Sequence, residues 1–252
     1  MVDGWFPWGY ASLAAVGLGA GFLNVVAGGG SLLTMPLLIF LGLSPGQANG
    51  TARLAILFQN SVAVVRYQRG GHLNLPLLRR LALPVVMGCV AGVATALWLG
   101  DLGFKRLLAW VMLGCAALVF LRPEPSVRAT DSELRFPHLR AWVVGTVVGF
   151  YGGLVQAGVG YLILFLVPRL LRQSLVSANV LKVALVLLYT PIALVLFVWQ
   201  DRFVPVPAVC LAVGQAVGGW LGARAAIDRG VAFIRVVLVL VIMATAVQLL
   251  RG

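Results

Sequence analysis

The sequence predicts an all-α integral membrane protein, a multi-pass helical bundle of two homologous repeats that are inverted relative to each other and contain glycine-broken or re-entrant helices. Three observations carry this reading. Of 252 residues, 61% are hydrophobic and only 10% charged, with a mean hydropathy of +1.02. A soluble domain covers its surface with about 25% charged residues, so lipid must be the solvent for much of this one. Apolar runs of membrane length follow one another along the whole chain. The second half also repeats landmarks of the first at a fixed offset.

The runs come in order as Trp8–Ala27, Ser31–Gly42, Pro45–Val65, Leu81–Leu99 and Gly103–Leu121. A polar stretch from Arg122 to Arg140 reads as a surface linker. The series resumes as Ala141–Gly158, Tyr161–Leu171, Ser174–Trp199, Val206–Ala226 and Val231–Leu250. A helical crossing takes about 20 residues, which most runs supply. Ser31–Gly42 and Tyr161–Leu171 are too short, and each follows a glycine-rich break. The domain division is therefore a first membrane repeat over 1–121, a cytoplasmic linker over 122–140 and a second membrane repeat over 141–252.

An offset of 130 without gaps places Gly19 on Gly149, Gly28 on Gly158, Gly30 on Gly160, Ser44 on Ser174, Ala48-Asn49 on Ala178-Asn179, and Gly88 and Gly92 on Gly218 and Gly222. The Ala-Asn pair and the glycine spacings point to an internal duplication. Loop charge sets its orientation. Arg66, Arg69, Arg79 and Arg80 follow the third run, whereas the equivalent loop holds Asp201 and Arg202; conversely Arg169 and Arg172 follow the second short run, whose counterpart is uncharged. The basic side has swapped, as inverted halves require. Five elements per half, the first two returning to their starting side, put both termini outside and the linker inside. Arg251 weighs against an outside C-terminus, and eight plain crossings are the competing arrangement. Met1–Pro7 has no basic region ahead of an apolar core, so no cleavable signal peptide is expected.

Net charge is +12. Its Lys and Arg sit in gaps between apolar runs, facing anionic lipid, and leave no soluble segment to carry nucleic acid. The partners expected are a small anionic substrate and the bilayer, with a coupling cation or a homodimer as further candidates and no nucleic acid.

The glycine breaks are the leading candidate site. A helix N-terminus leaves backbone amides unpaired and partly positive, and glycine lets an anion approach them. Gly28, Gly29, Gly30 and Ser31 open the first short helix; Gly158 and Gly160 open the second. The alternative is that these glycines only permit close helix packing. Polar residues inside two runs form the second feature. Asn49 and Arg53 share one helix face, as do Asn179 and Lys182. A cation deep in a membrane helix marks function by default. Neither Arg53 nor Lys182 has a carboxylate neighbour, which an anion would replace, unless both snorkel to the headgroups. Asn24 and Gln156 complete the candidate set, with Gln59 and Asn60 weaker. Gly88-x-x-x-Gly92 and Gly218-x-x-x-Gly222 read as packing motifs within the chain, a dimer seam being the alternative.

The absences matter too. All seven acids and both histidines lie at segment ends or in polar gaps, so no buried relay serves a proton-driven carrier. Coupling, where it exists, would use a cation held by backbone carbonyls at the breaks, or a proton carried on the substrate. Cys89, Cys115 and Cys210 lack metal-ligand spacing. No Walker A sequence is present, and Gly17-x-Gly19-x-Gly21 lacks the strand a dinucleotide site needs. No cofactor and no metal are expected, and no His-containing constellation favours an embedded enzyme.

The run Gly19-Ala20-Gly21-Phe22-Leu23-Asn24, then Ala27-Gly28-Gly29-Gly30-Ser31-Leu32-Leu33, Pro36-Leu37-Leu38, Gly42-Leu43-Ser44-Pro45 and Ala48-Asn49, resembles the sulfite exporter TauE/SafE family of membrane transporters. Gly152-Gly153, Gly158-Val159-Gly160 and Ala178-Asn179 repeat parts of it, with Val159 in place of the middle glycine. The resemblance covers nearly the whole chain. It implies a permease in the cell membrane, of the bacterial inner-membrane type, for sulfite, an organosulfonate or a related sulfur-containing acid. A non-sulfur organic anion is the alternative cargo.

Overall fold

The computed structural model describes residues 7–120 and 138–251, and every regular element among them is helical. Eight helices follow in order: α1 (Pro7–Ala27), α2 (Ser31–Phe40), α3 (Pro45–Arg69), α4 (Leu75–Phe120), α5 (His138–Leu154), α6 (Val159–Leu170), α7 (Leu175–Trp199) and α8 (Pro205–Arg251). Residues 121–137, most of the expected linker, lie outside the described residues. The runs expected as separate fourth and fifth segments are two helices within the α4 span, parted at Gly100, whose φ 62° and ψ −179° are not helical.

Among the described residues, four helices are long and apolar enough to cross a membrane: α1, α4, α7 and α8. The short helices are not. At 1.5 Å per residue, the 10 residues of α2 reach about 15 Å, half of the ~30 Å hydrocarbon core. The 25 residues of α3 are long enough to cross, but α3 is too polar to qualify by hydropathy. Asn49, Thr51, Arg53, Gln59 and Asn60 are all buried in the bundle, so neighbouring helices shield their cost from lipid.

Serine starts both central helices. Ser44 accepts the Gln47 amide, and the Gln47 side chain answers on the Ser44 amide, a full capping box. Ser174 accepts the Ser177 amide in the same way. The two helices run antiparallel. Near the start of α3, Thr51 accepts the Val204 amide just beyond α7. At its other end, the Tyr67 hydroxyl accepts from Asn179 near the start of α7.

Around this pair, α1 packs most extensively on α8, and α5 on α4. Glycines allow both approaches. A Cβ on Gly17 would meet the Leu211 carbonyl at 3.0 Å, and one on Gly145 the Leu81 carbonyl at 3.4 Å. Gly21 abuts Gln215 as Gly149 abuts Val85; Gly218 abuts Leu18 as Gly88 abuts Thr146. The same contact set thus occurs twice. The partners on α4 and α8 keep the offset of 130 (Leu81 and Leu211, Gly88 and Gly218), but those on α1 and α5 stand at an offset of 128 (Gly17 and Gly145, Gly21 and Gly149). The ungapped match therefore needs correction. The counterpart of Gly149 is Gly21, and nothing lies within 4 Å of a Cβ on Gly19. Two extra residues enter the second half at its helix break, where α5 ends at Leu154 rather than at the expected Gly158.

Backbone conformation records the same insertion. Gly28 and Gly158, Gly42 and Arg172, and Gly71 and Asp201 all pair at the longer offset, and all six have positive φ. Gln156, at φ 64°, has no such partner and sits inside the insertion. Both Gly-x-x-x-Gly motifs are occupied within the chain, Gly88 and Gly92 by α5 and Gly218 and Gly222 by α1.

Candidate functional site at the two helix breaks

The two breaks meet. A Cβ on Gly28 would lie 2.6 Å from the Gly160 Cα, and Gly30 is covered by the Ala20 carbonyl and the Asn24 side chain. Gly29 is buried between them. The Gly158 amide donates to the buried Ser31 hydroxyl at 3.2 Å, linking the breaks directly. Close packing is therefore one function of these glycines. The short helices keep a second property, since neither α2 nor α6 has a side-chain hydrogen bond capping its N-terminus. Their first-turn amides contrast with the serine-capped starts of α3 and α7.

Arg53 and Lys182 do not snorkel, being 0% and 3% exposed. Each closes the carbonyl end of a broken helix. Lys182 donates to the Asn24 and Val25 carbonyls at the end of α1, at 2.9 and 2.8 Å, and to Asn179 Oδ1 at 2.8 Å. Arg53 donates to the Gly152 and Gly153 carbonyls at the end of α5, at 3.2 and 2.6 Å. Its remaining contacts are Asn49 Oδ1 and Gln156 Oε1, both at 3.2 Å. Gly152 and Gly153 are the α5 counterparts of Asn24 and Val25 at the shorter offset, so the two cations, one residue out of register in the repeat (Arg53 matches Val183), bind equivalent carbonyls. The Asn24 carbonyl also accepts the Gly28 amide at 2.9 Å, so there the cation adds a second bond, and at each helix end it favours the negative end of the dipole.

The asparagines orient these cations. Asn49 donates to the Leu154 carbonyl at 3.0 Å while accepting from Arg53. Asn179 donates to the Tyr67 hydroxyl while accepting from Lys182. The Asn24 side chain donates to Gln59 at 3.3 Å. All twelve residues expected at the site thus gather around the breaks. Arg53 also lies 4.7 Å over the Phe197 ring, and its Nε is buried with no hydrogen-bond partner. Among the described residues no buried acid accompanies either cation, and no cluster of His, Cys, Asp or Glu is suited to a metal.

Sequence reasoning missed Tyr67, the carbonyls of Val25, Gly152 and Gly153, and a cluster at the start of α3. There, Asp101 accepts from Arg202 at 2.7 Å, from the Gly46 amide at 3.0 Å and from Ser44 Oγ at 3.1 Å. Asp101 sits at the turn between the two membrane helices that α4 joins. Partial burial opposes its ionisation, but the hydrogen bonds from Arg202, Gly46 and Ser44 outweigh that and hold the carboxyl below the usual carboxylate range.

Residues 13–249 match the family described as sulfite exporter TauE/SafE. The chain belongs to that family. As a TauE/SafE member it is a multi-pass membrane transporter, similar to curated proteins named probable membrane transporter proteins. It is 28% identical over 232 residues to probable membrane transporter protein ORF9 of Sinorhizobium sp, covering 92% of this chain and 88% of that protein. A probable membrane transporter protein of Haemophilus influenzae is 28% identical over 249 residues, 94% and 92% of the two chains. The Escherichia coli K12 probable membrane transporter protein YfcA is 26% identical over 232 residues, 92% and 86%. No solved structure matches the chain.

Proposed function

We propose that this TauE/SafE transporter moves a small anion, sulfite, an organosulfonate or a related sulfur-containing acid, by alternating access around the paired helix breaks, in a bacterial inner membrane. The observation that carries this reading is the charge at the breaks. Two fully buried cations and two uncapped helix N-termini converge where no buried acid balances them among the described residues. Such a centre favours an anion over a cation or a neutral solute. Arg53 Nε–H is one buried side-chain donor left for it, and Gln59 Nε2, beside Asn24, is another; the amides of Gly29, Gly30, Ser31 and Gly160 stand with them. Nothing in this arrangement supplies a nucleophile with its base, so we read the protein as a carrier and not an enzyme.

The two halves are read as inverted repeats. Equivalent helices α3 and α7 are antiparallel, which fits a pseudo-two-fold axis lying in the membrane plane. The α1–α2 pair is read as re-entrant: α1 runs parallel to α8 (Leu18 beside Gly218, Phe22 beside Gly222), and α8 starts at the end of the bundle where α2 delivers Ser44 to Asp101. The opposite end carries Arg66, Arg69 and Arg172 and is assigned to the cytoplasm.

Reconstituted liposomes loaded in turn with sulfite, a short alkanesulfonate, sulfate and acetate test the cargo. Saturable flux of sulfite or the sulfonate is expected. Flux of none of the four, or of acetate alone, would overturn the sulfur-anion reading.

A further inference from the structure

The ends of the central helices carry two small cavities that are copies of each other and differ in volume, one roomy (open) and the other nearly filled by its own side chains (shut). The open cavity, about 110 Å³, lies where the end of α3 meets the start of α7. The shut one, about 10 Å³, lies where the start of α3 meets the end of α7. Their walls correspond through the internal repeat, at the same offset that relates α4 to α8. Ala226 and Ile227 of α8 line the open cavity where Ala96 and Leu97 of α4 line the shut one. Tyr67 stands at the position of Phe197, and His72 at that of Arg202. A site needs about 10–15 Å³ to hold one water, so the smaller cavity has room for one water at most and the larger one for a small oxyanion.

The difference has a named cause. Asp101 projects into the shut cavity and ties Arg202 to the start of α3 through Ser44 and the Gly46 amide. In the sequence the counterpart of Asp101 is Val231; among the described residues no acid lines the open cavity, and His72 lies exposed at its edge. Behind each cavity stands the asparagine–cation pair of its own half: Asn179, a wall of the open cavity, accepts from Lys182, and Phe197, a wall of the shut one, lies under Arg53.

We propose that the two cavities are the two mouths of one anion route and that the Asp101–Arg202 pair is the latch that closes the mouth at Ser44 while the mouth at Tyr67 is open. The proposal rests on the transport reading for its purpose, but not for its test. Leu97 and Ile227 are equivalent and both half-buried, so a cysteine at either reports water in its own mouth. In a background with Cys89, Cys115 and Cys210 replaced by alanine, the protein is placed in nanodiscs, which expose both faces. It is then labelled with a cationic methanethiosulfonate.

Ile227→Cys is expected to react at least about tenfold faster than Leu97→Cys. Adding Asp101→Asn should raise the Leu97→Cys rate by about tenfold and lower that of Ile227→Cys, because loss of a charged pair with two supporting hydrogen bonds shifts a two-state balance on that order. Arg202→Gln should do the same, and Asp101→Arg combined with Arg202→Asp should restore protection. Equal rates in the parent would overturn the proposal. So would a Leu97→Cys rate that neither single substitution moves. No transported ion enters this measurement, so switching without anion flux would leave the latch standing and remove the proposed cargo.

Discussion

Lys182→Met tests the idea that the buried cations act as caps on broken helices. Methionine keeps the length and apolar stem of lysine and removes only the ammonium. Three hydrogen bonds disappear, to Asn24 O, Val25 O and Asn179 Oδ1, all between 2.8 and 2.9 Å. At about 1.5–3 kcal/mol for each bond to a charged group, the loss would reach roughly 4–9 kcal/mol. Hydrogen bonds between membrane helices average nearer 0.6 kcal/mol, which gives about 2 kcal/mol. Removal of a buried charge also relieves several kcal/mol of desolvation, so the lower end wins. A destabilisation of about 2–3 kcal/mol is expected, or about 4–12 °C in Tm for a chain of this size. Thermal unfolding in one detergent, followed by tryptophan fluorescence, measures it. Lys182→Arg should recover most of the loss, and Lys105→Met at an exposed position should change nothing. Amide exchange should quicken selectively around Asn24–Ser31, where α1 ends. A Lys182→Met protein that melts within a degree of its parent, with unchanged exchange there, would refute the capping role.

Three further outcomes follow from packing and titration. Gly21→Ala should destabilise by about 1–3 kcal/mol through overpacking, because its Cβ would meet Gln215 O at 2.5 Å, whereas Gly19→Ala meets nothing and should be neutral or gain up to about 1 kcal/mol of helix propensity; the order of their melting temperatures checks both. Gly28→Ala combines a Cβ at φ +83° with a clash against Gly160, so it should cost at least about 2 kcal/mol and lower the yield of folded protein on size exclusion. The lowered pKa of Asp101 means that its contribution is full above the unfolded value near 4 and is lost as pH falls through the folded value; thermal melts from pH 6 down to 3 should show an acid-side decline that is shallower in Asp101→Asn.

How much of this was legible in the sequence depends on what each feature is made of. Helix order followed from apolar runs, and the boundaries at Ala27, Ser31 and Pro45 followed from glycine, serine and proline. So did the break at Gly100, since a glycine beside an acid reads as a loop. The insertion at the second break was hidden because Gly17, Gly19 and Gly21 offer a glycine at every second position, so an ungapped match costs nothing visible. Only the close approach to α8 tells Gly21 from Gly19. The candidate residues were identifiable as polar groups in apolar helices, but their partners were not. Arg53 and Lys182 looked unpaired because their acceptors are backbone carbonyls, which no residue type announces. The Asp101–Arg202 pair joins opposite halves of the chain, which charge patterning alone could not connect.

The same carbonyls bear on coupling. Broken helices in transporters offer carbonyl ends that can hold a sodium ion, and the sequence left that option open. Here the ends of α1 and α5 are each taken by a side-chain cation at hydrogen-bond distance. A sodium ion at either end would have to displace Lys182 or Arg53 and leave a buried charge unsatisfied, at several kcal/mol. It would also sit beside a second fixed cation in a low-dielectric interior. Sodium coupling at the breaks is therefore unfavourable on both counts, and under the proposed anion cargo the driving force would be the gradient of the anion or of a proton carried with it. Sulfite flux into liposomes should be unchanged, within about twofold, when an inward sodium gradient replaces an equal potassium gradient at fixed voltage. A sodium-dependent rise of about tenfold would mean that a carbonyl site forms in another state, and that the cations leave the helix ends during the cycle.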